Sequence, residues 1–301
     1  MSWSEFTIQG PLGNLHARAL VPPAPRRTDG RVSVFVLCHG LLDNIQAPVF
    51  PFVQDVLAQL DISSVAFDFH GNGQSTGTTT YGNYYDEAED IRTVVESLNG
   101  RGIPSLASPC AVVGALGHSK GASSLLLFAN KYKHLCPQLL VTLSARYWLA
   151  REITMRWTDQ NQQDLAHNGR FLWRRYGKKP SKSNGNKIED SAQREEGPVK
   201  EYWVSLDDMK DRSATDMSVI QGLPLHRCAV LNIMGSRDEV VPEDDVWEYH
   251  RLMRLAAPAN NRVVTRIVPR ASHFWKKHSE LRPLDLLLRR WLSKTMPRPR
   301  L

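Results

Sequence analysis

The chain contains few cysteines. Four occur among its 301 residues, Cys38, Cys110, Cys136 and Cys228, and no two of them form a C-x-x-C pair. Because they are far apart and mostly lie in or beside apolar stretches, they do not have the pattern of a disulfide framework. We expect buried free thiols and a protein of a reducing compartment.

The chain also lacks a long apolar segment. No run reaches the roughly 18 consecutive apolar residues that a transmembrane helix needs. The first residues, Met1–Glu5, have neither the basic start nor the apolar core of a secretory signal. These absences predict a cytoplasmic protein with no membrane span.

A recognisable nucleic-acid-binding module is missing as well, although the chain is basic. Its 38 Lys and Arg residues exceed its 31 Asp and Glu residues, which gives a formal net charge of +7. Much of this excess lies in Arg170–Lys187 and Arg298–Arg300, which are rich in residues typical of mobile loops. We therefore interpret it as solvated loop charge and predict no nucleic-acid partner.

One stretch organises the rest of the chain. The apolar run Ala111–Leu116 is followed by Gly117–Gly121, which reads G-x-S-x-G, and then by the leucine-rich segment Ala122–Phe128. A strand, a sharp turn and a helix in this order expose the central Ser119 as a nucleophile. The alternative is a glycine-bounded turn with an incidental serine, which the strand before it and the helix after it disfavour.

Apolar runs of strand length alternate with helical patterns over most of the chain. We expect strands at Trp3–Gln9, Asn14–Leu20, Val32–Cys38, Ser64–Phe69, Ala111–Leu116, Leu139–Ser144, Cys228–Gly235 and Arg262–Val268. We expect helices at Pro48–Leu60, Tyr84–Asn99, Ser123–Phe128, Glu243–Leu255 and Leu281–Leu292. This alternation predicts an α/β fold with a mostly parallel, doubly wound sheet.

The alternation stops between residues 151 and 220. This segment has no continuous apolar run of strand length but carries six aromatic residues, and its middle, Lys178–Lys187, is polar enough for a flexible tip. We predict a helical cap inserted at 151–220 between two parts of one core, 1–150 and 221–301. The cap is expected to lie over Ser119 and to use most of its aromatic residues for its own packing.

A serine nucleophile needs a base and an acid, and two residues have suitable positions. His273 follows the last predicted strand, and Asp238 comes three residues after Gly235, where the preceding strand ends. With Ser119 they form the chain order nucleophile, acid, base that is typical of this architecture. The other acids considered are in the cap with no strand before them: Asp207, Asp208, Asp211 and Asp216.

Two backbone N–H groups are candidates for an oxyanion hole, the groups that stabilise the negative charge of the reaction intermediate. Lys120 follows the nucleophile, and Leu41 follows the His39–Gly40 dipeptide at the end of a buried strand. Both positions are where such an enzyme places these donors. We expect His39 itself to be structural and to support Leu41.

Five motifs in order resemble the α/β-hydrolase superfamily, in particular its serine-aminopeptidase-like branch, S33, which includes cinnamoyl-esterase-type and monoacylglycerol-lipase-type enzymes. The motifs are His39–Gly40, Asp68–Ser75, Gly117–Gly121, Gly235–Pro242 and Ser272–His273. We interpret the glycine-rich part of the second motif as a tight surface loop, because no Lys-Ser or Lys-Thr pair follows it as in a phosphate loop. Many relatives carry glutamine where this chain has Lys120, whose ammonium we expect to pair with a nearby carboxylate.

These observations favour a serine hydrolase that cleaves small-molecule carboxylic esters through an acyl-enzyme, without a metal or organic cofactor. Cleavage of an amide or peptide is the alternative within enzymes, because the same groups serve both reactions. A non-catalytic ligand-binding protein on the same scaffold is the alternative outside them. The sequence does not predict an oligomeric state.

Overall fold

The computed structural model describes residues 1–151, 157–176, 200–258 and 262–296. The predicted flexible tip at 178–187 and the basic segment at 298–300 lie outside these ranges.

The described strands form one nine-stranded sheet and one separate hairpin. The strands of the sheet are β1 (Ser2–Gln9), β2 (Asn14–Val21), β3 (Arg27–Thr28), β4 (Arg31–Cys38), β5 (Ser63–Phe67), β6 (Cys110–His118), β7 (Leu139–Leu143), β10 (Ala229–Gly235) and β11 (Val263–Val268), and those of the hairpin are β8 (Arg170–Tyr176) and β9 (Lys200–Ser205). The order across the sheet is β1-β2-β5-β4-β6-β7-β10-β11, with β3 paired to β4. From β5 to β11 all neighbours are parallel, whereas β1, β2 and β3 pair in antiparallel fashion.

Helices cover both faces of the sheet. They are α1 (Val49–Ala58), α2 (Tyr84–Arg101), α3 (Lys120–Lys131), α4 (Asp159–Asn168), α5 (Leu206–Ala214), α6 (Glu243–Ala256) and α7 (His278–Thr295). Residues of α2, α3 and α6 belong to one apolar core, and residues of α1 and α7 belong to the core on the opposite face. The predicted mostly parallel, doubly wound sheet is therefore confirmed.

The central strands form where the sequence has continuous apolar runs. In β4, every residue after Arg31 is buried, as expected for a parallel strand covered by helices on both faces. The edge strand β1 is mostly exposed, and its side chains alternate between partly buried and exposed. Because the central strands are parallel, their carboxyl ends share one edge of the sheet, and the predicted site residues lie at this edge.

The inserted segment is not purely helical, which differs from our expectation. It contains α4, the β8–β9 hairpin, α5 and a short 3₁₀ helix, Met217–Gly222. Phe171 and Trp173 of β8 and Tyr202 and Val204 of β9 are buried. The residues between them, Leu172 and Trp203, are partly buried and exposed, so these strands cover a core on one face only. The continuous apolar runs here, Phe171–Trp173 and Tyr202–Val204, are too short to indicate strands.

The aromatic residues of the insertion form a compact core, here called the aromatic cap cluster. Its buried members are Tyr81, Trp157, Phe171, Trp173, Tyr202 and Val204. The ring of Tyr81, from the loop before α2, lies 5.7 Å from Trp157 and 5.8 Å from Trp173 between centroids. Leu41 and Leu42 pack against the cluster. The insertion thus rests on the loop that follows β4.

The four cysteines are free and buried, as expected. Within the ranges that the structure describes, we find no helix that combines the length and the apolar character needed to cross a membrane.

A glycine in the central sheet gives the first testable prediction. A Cβ atom added to Gly114 would lie 2.0 Å from the ring of Phe35, a buried neighbour on β4. We expect Gly114→Ala to lower the free energy of unfolding by about 1–3 kcal/mol, because the core would be overpacked. Chemical denaturation measures the change.

Gly100→Ala in α2 is the matched control, because an added Cβ there meets nothing within 4 Å. Alanine in a helix is favoured over glycine, so this variant should be as stable as the wild type or more stable. Equal stability of the two variants would contradict the packing described for β4 and β6.

Candidate active site

Ser119 occupies a sharp turn between β6 and α3. Its backbone has φ 52° and ψ −121°, a left-handed conformation that is unfavourable for a residue with a side chain. A Cβ atom on Gly117 would lie 2.5 Å from the Cα of Ala122, and one on Gly121 would lie 2.1 Å from the carbonyl oxygen of His39. Both flanking glycines are therefore required by close backbone contacts.

The structure brings the three predicted triad residues together. The Oγ of Ser119 lies 3.0 Å from the Nε2 of His273, and the Nδ1 of His273 lies 3.0 Å from each carboxylate oxygen of Asp238. The side chains of His273 and Asp238 are 3% and 1% exposed. In the tautomer that fits these contacts, Nδ1–H donates to the carboxylate, and Nε2 is free to accept the proton of the serine.

His273 and two backbone N–H groups stabilise the ionised form of Asp238. Its Oδ1 accepts hydrogen bonds from the N–H groups of Val240 at 3.0 Å and Val241 at 2.8 Å. Burial alone would raise the pKa of Asp238. The hydrogen bond with His273, the charge of His273 and the hydrogen bond from the N–H of Val241 together lower this pKa. The carboxylate can therefore orient His273 and stabilise its protonated form.

His118 positions the base from the other side of the nucleophile, a role that was not predicted from the sequence. Its Nε2–H donates to the carbonyl oxygen of His273 at 2.8 Å, and the N–H of His273 donates to Glu239 Oε2 at 3.2 Å. Burial and the nearby charge of His273 lower the pKa of His118 to about 3, so His118 stays neutral. The only sequence signal for it was its place directly before Ser119.

The two predicted oxyanion donors lie in segments that flank the nucleophile. Lys120 is the first residue of α3, and N–H groups in the first turn of a helix have no partner within the helix. Leu41 follows Gly40, where an added Cβ would be 3.1 Å from the Cβ of Ser119. The loop of Leu41 therefore passes directly against the nucleophile.

His39 holds this loop in place, in agreement with its expected structural role. Its Nδ1–H donates to the carbonyl oxygen of Gly40 at 2.8 Å, and its Nε2 accepts the N–H of Phe69 at 2.9 Å. Asp68 adds support, because its carboxylate accepts hydrogen bonds from the N–H of Ile45 at 2.9 Å and from the N–H of Gln74 at 2.9 Å.

The expectation of a tight surface loop at Asp68–Ser75 is correct only in part. The turn is tight, but four of its polar side chains are buried, those of Asp68, His70, Asn72 and Ser75. Asp68, His70 and Ser75 form hydrogen bonds that tie this turn to neighbouring segments, whereas Asn72 donates within the turn to the carbonyl oxygen of His70. Asp68, for example, also accepts the N–H of Ile45 in the loop that follows Leu41.

The side chain of Lys120 forms the carboxylate pair expected for it. Its Nζ lies 3.0 Å from Glu87 Oε1, and both side chains are nearly inaccessible to solvent. The same ammonium donates to the carbonyl oxygen of Thr80 at 2.9 Å and lies 5.1 Å from the centroid of the Tyr84 ring. The charge of Lys120 is thus neutralised within the protein.

A cleft lies beside the loop of Leu41. Its walls come from the loop after β4, the Gly71–Gly73 loop and the start of β9, and include Asp43, Thr79, Lys200, Glu201 and Tyr202. Among the residues that the structure describes, no three potential ligands group into a metal site.

Comparison with known proteins identifies the family. The family described as serine aminopeptidase, S33, matches residues 31–275, which is most of the chain. The chain belongs to this family of hydrolases, as its motifs indicated. No curated protein matches it by sequence.

Solved structures show the same fold at low sequence identity. An esterase from Pyrococcus furiosus is 15% identical with a TM-score of 0.66, over 98% of this chain and 92% of that one. Est1E from Butyrivibrio proteoclasticus, in a structure with ferulic acid bound, is 16% identical with a TM-score of 0.65, over 97% and 99%. An α/β serine hydrolase without a lid from Xanthomonas campestris is 19% identical with a TM-score of 0.58, over 100% and 98%. These likenesses confirm the α/β-hydrolase fold.

The buried pair of Lys120 and Glu87 generates the second prediction. Lys120→Met should lower the free energy of unfolding by about 3–5 kcal/mol, because it leaves the Glu87 carboxylate buried without its counter-ion. Adding Glu87→Gln should restore most of this loss, since an amide carries no charge and can still accept the hydrogen bond of Ser124. Thermal unfolding of the single and double variants tests both expectations. If the single variant Lys120→Met and the double variant lost the same free energy of unfolding, the pairing of Lys120 with Glu87 would be contradicted.

Proposed function

We propose that this member of the serine aminopeptidase S33 family hydrolyses carboxylic esters of small to medium acyl or aromatic groups through an acyl-enzyme. The observation that carries the proposal is the hydrogen-bonded series from Ser119 Oγ to His273 Nε2 and from His273 Nδ1 to Asp238, with 3.0 Å at each step. A hydroxyl becomes an effective nucleophile when a positioned base accepts its proton.

In the first half of the reaction, Ser119 attacks the carbonyl carbon of the ester while Nε2 of His273 accepts the hydroxyl proton. The N–H groups of Leu41 and Lys120 donate to the negatively charged oxygen of the tetrahedral intermediate. Asp238 stabilises the imidazolium that forms. Collapse of the intermediate breaks the bond to the alcohol, which leaves with the proton of His273.

The second half of the reaction repeats these steps with water. His273 accepts a proton from water as the water attacks the acyl-enzyme, and the same two N–H groups stabilise the second intermediate. The acid is released when Ser119 regains its proton from His273. The chain supplies every group in this scheme, so the proposal needs no cofactor.

The proposed range of substrates rests on the cap. Most cap aromatics pack against one another, and the part of the insertion that the structure describes offers no extended apolar stretch for a long acyl chain. The ferulic acid bound to the structurally similar Est1E is consistent with an aromatic acid as substrate. We therefore favour compact esters over long-chain lipids.

Amide or peptide cleavage is the second candidate, and the description of the family as serine aminopeptidases favours it. The triad geometry serves either reaction, since both proceed through an acyl-enzyme. A comparison of p-nitrophenyl acetate with leucine p-nitroanilide separates the two. Ester turnover with negligible anilide turnover supports the esterase, and the reverse supports the aminopeptidase.

Substitution of the proposed acid provides the third prediction. Asp238→Asn should lower kcat for p-nitrophenyl esters by about a thousandfold or more with little change in KM, because Asp238 orients and stabilises His273 rather than binding substrate. Asp216→Asn is the matched control, since Asp216 caps a 3₁₀ helix of the insertion through Ser218. Near-normal activity of Asp238→Asn together with an inactive Asp216→Asn would contradict the assignment.

The acyl preference gives the fourth prediction. We expect kcat/KM to be highest for short to medium p-nitrophenyl esters and for a hydroxycinnamate ester, and to fall for long acyl chains. Rates are measured over a series of acyl lengths, with Ser119→Ala at each length to subtract uncatalysed hydrolysis. A rate that rises steadily towards the longest chains would contradict the proposed substrate range.

A further inference from the structure

We propose that Arg212, assisted by Arg146, binds an anionic group of the substrate, a carboxylate or a phosphate, next to the nucleophile. This inference rests on the ester hydrolysis proposed above and narrows its substrates to anionic esters, such as half-esters of dicarboxylic acids. Neither arginine was singled out by the sequence analysis.

Arg212 lies on α5 of the insertion and is only 2% exposed. Its Nη1 donates to the hydroxyl of Tyr84, but its Nε and Nη2 have no hydrogen-bond partner in the described part of the protein. These two N–H groups lie on the same edge of the guanidinium, and such an edge can donate two parallel hydrogen bonds to a carboxylate or phosphate. Buried donors without a partner are costly, so the edge is well suited to a ligand.

The guanidinium of Arg212 is held in a fixed position by two rings of the core. Its Cζ lies 5.0 Å from the centroid of the Tyr81 ring and 5.6 Å from that of Tyr84. Cations are attracted to the faces of aromatic rings, and the bond to the Tyr84 hydroxyl fixes the remaining end. Arg212 is thus oriented before any ligand arrives, which lowers the entropy lost on binding.

Arg146 brings a second buried cation into range. It is 6% exposed, donates to the carbonyl oxygens of Arg151 at 3.2 Å and of Val240, and leaves its Nε without a partner among the described residues. Burial and the charge of Arg212 both lower the pKa of Arg146, as expected when two like charges are close in a low-dielectric region.

The nearby carboxylates have other partners, although Oδ1 of Asp245 accepts no hydrogen bond among the described residues. Glu87 pairs with Lys120 at 3.0 Å and accepts the hydroxyl of Ser124 at 2.8 Å. Asp245, whose charge acts on Arg146, accepts the N–H groups of Tyr147 and Trp148 and lies 3.5 Å from an Nη of Arg151. Burial raises the pKa of Asp245.

Both arginines are linked to the catalytic residues by short contacts. Lys120 directly follows Ser119, its ammonium lies over the ring of Tyr84, and the hydroxyl of that ring accepts the bond from Arg212. Arg146 donates a hydrogen bond to the carbonyl oxygen of Val240, and the N–H of Val240 donates to the carboxylate of Asp238. In the proposed site, an acyl chain that ends in a carboxylate places this group at Arg212 while its ester carbonyl lies at Ser119.

The charge of this site also bears on the choice between esters and peptides with a free amino terminus as substrates. An aminopeptidase must accommodate the α-ammonium of its substrate, and buried cations beside the nucleophile repel such a group. The same cations attract an anionic substrate. The proposal thus predicts a specificity opposite to the one that the family description suggests.

The test compares charged and neutral esters of the same shape. The substrates are 4-methylumbelliferyl half-esters of dicarboxylic acids, from glutarate to suberate, and the corresponding esters whose free carboxyl is converted to a primary amide. We expect kcat/KM of the wild type to be about 10–100 times higher for the acid than for the amide at the best spacer length, the size expected for charge-assisted hydrogen bonds.

Three variants assign this preference to Arg212. Arg212→Met should abolish the preference for the acid, and Arg212→Lys should keep part of it, because lysine retains the charge but not the two-donor edge. Lys210→Met is the matched control, since it removes a cation from the same helix where the side chain is 76% exposed. It should preserve the preference of the wild type.

Hydrolysis of the neutral ester and labelling by a fluorophosphonate show whether each variant keeps a folded active site. If an active Arg212→Met variant preferred the acid over the amide as strongly as the wild type does, the inference would be overturned. A wild type that does not distinguish the acid from the amide would overturn it as well. Neither result would contradict the proposed ester hydrolysis. A wild type that cleaves no ester would overturn both proposals. Competitive inhibition by glutarate and by inorganic phosphate identifies the preferred anion, and inhibition by neither would also contradict the site.

Discussion

The close contact between Gly121 and the carbonyl of His39 is the constraint on which the site depends. It allows the turn of the nucleophile to lie against the loop that follows β4, where even a single Cβ atom would not fit. This contact brings the segment of Lys120 and the loop of Leu41, whose N–H groups are the proposed oxyanion donors, against each other at Ser119. Since both donors belong to the backbone, their positions are set by the sheet rather than by flexible side chains.

Buried polar bonds then fix the groups around this turn. His39 holds the loop of Leu41 through Gly40 and Phe69, and His118 holds the carbonyl of His273. The bonds from Phe69 to His39 and from His118 to His273 join segments that are distant in sequence but meet at the carboxyl edge of the parallel strands. The triad geometry is thus a consequence of the sheet topology, and the insertion adds to it by packing the aromatic cap cluster on Leu41.

The sequence allowed prediction of those features that depend on short local patterns. Buried parallel strands require continuous apolar runs, so the central sheet could be located, and with it Ser119, Asp238 and His273 after successive strands. The β8–β9 hairpin was not predicted because its continuous apolar runs, Phe171–Trp173 and Tyr202–Val204, are too short to indicate strands. The burial of Arg146 and Arg212 was not predicted for another reason. A charged residue is normally solvated, and the burial of these two depends on contacts between segments far apart in the chain.

The central claim is that Ser119 is a nucleophile activated by His273, and covalent labelling tests it most directly. A fluorophosphonate probe reacts with an activated serine whatever the natural substrate is. The account predicts that the wild-type protein is labelled at Ser119, that Ser119→Ala is not labelled, and that His273→Ala reacts far more slowly. Absence of labelling in the folded wild-type protein, or undiminished labelling of Ser119→Ala, would contradict it.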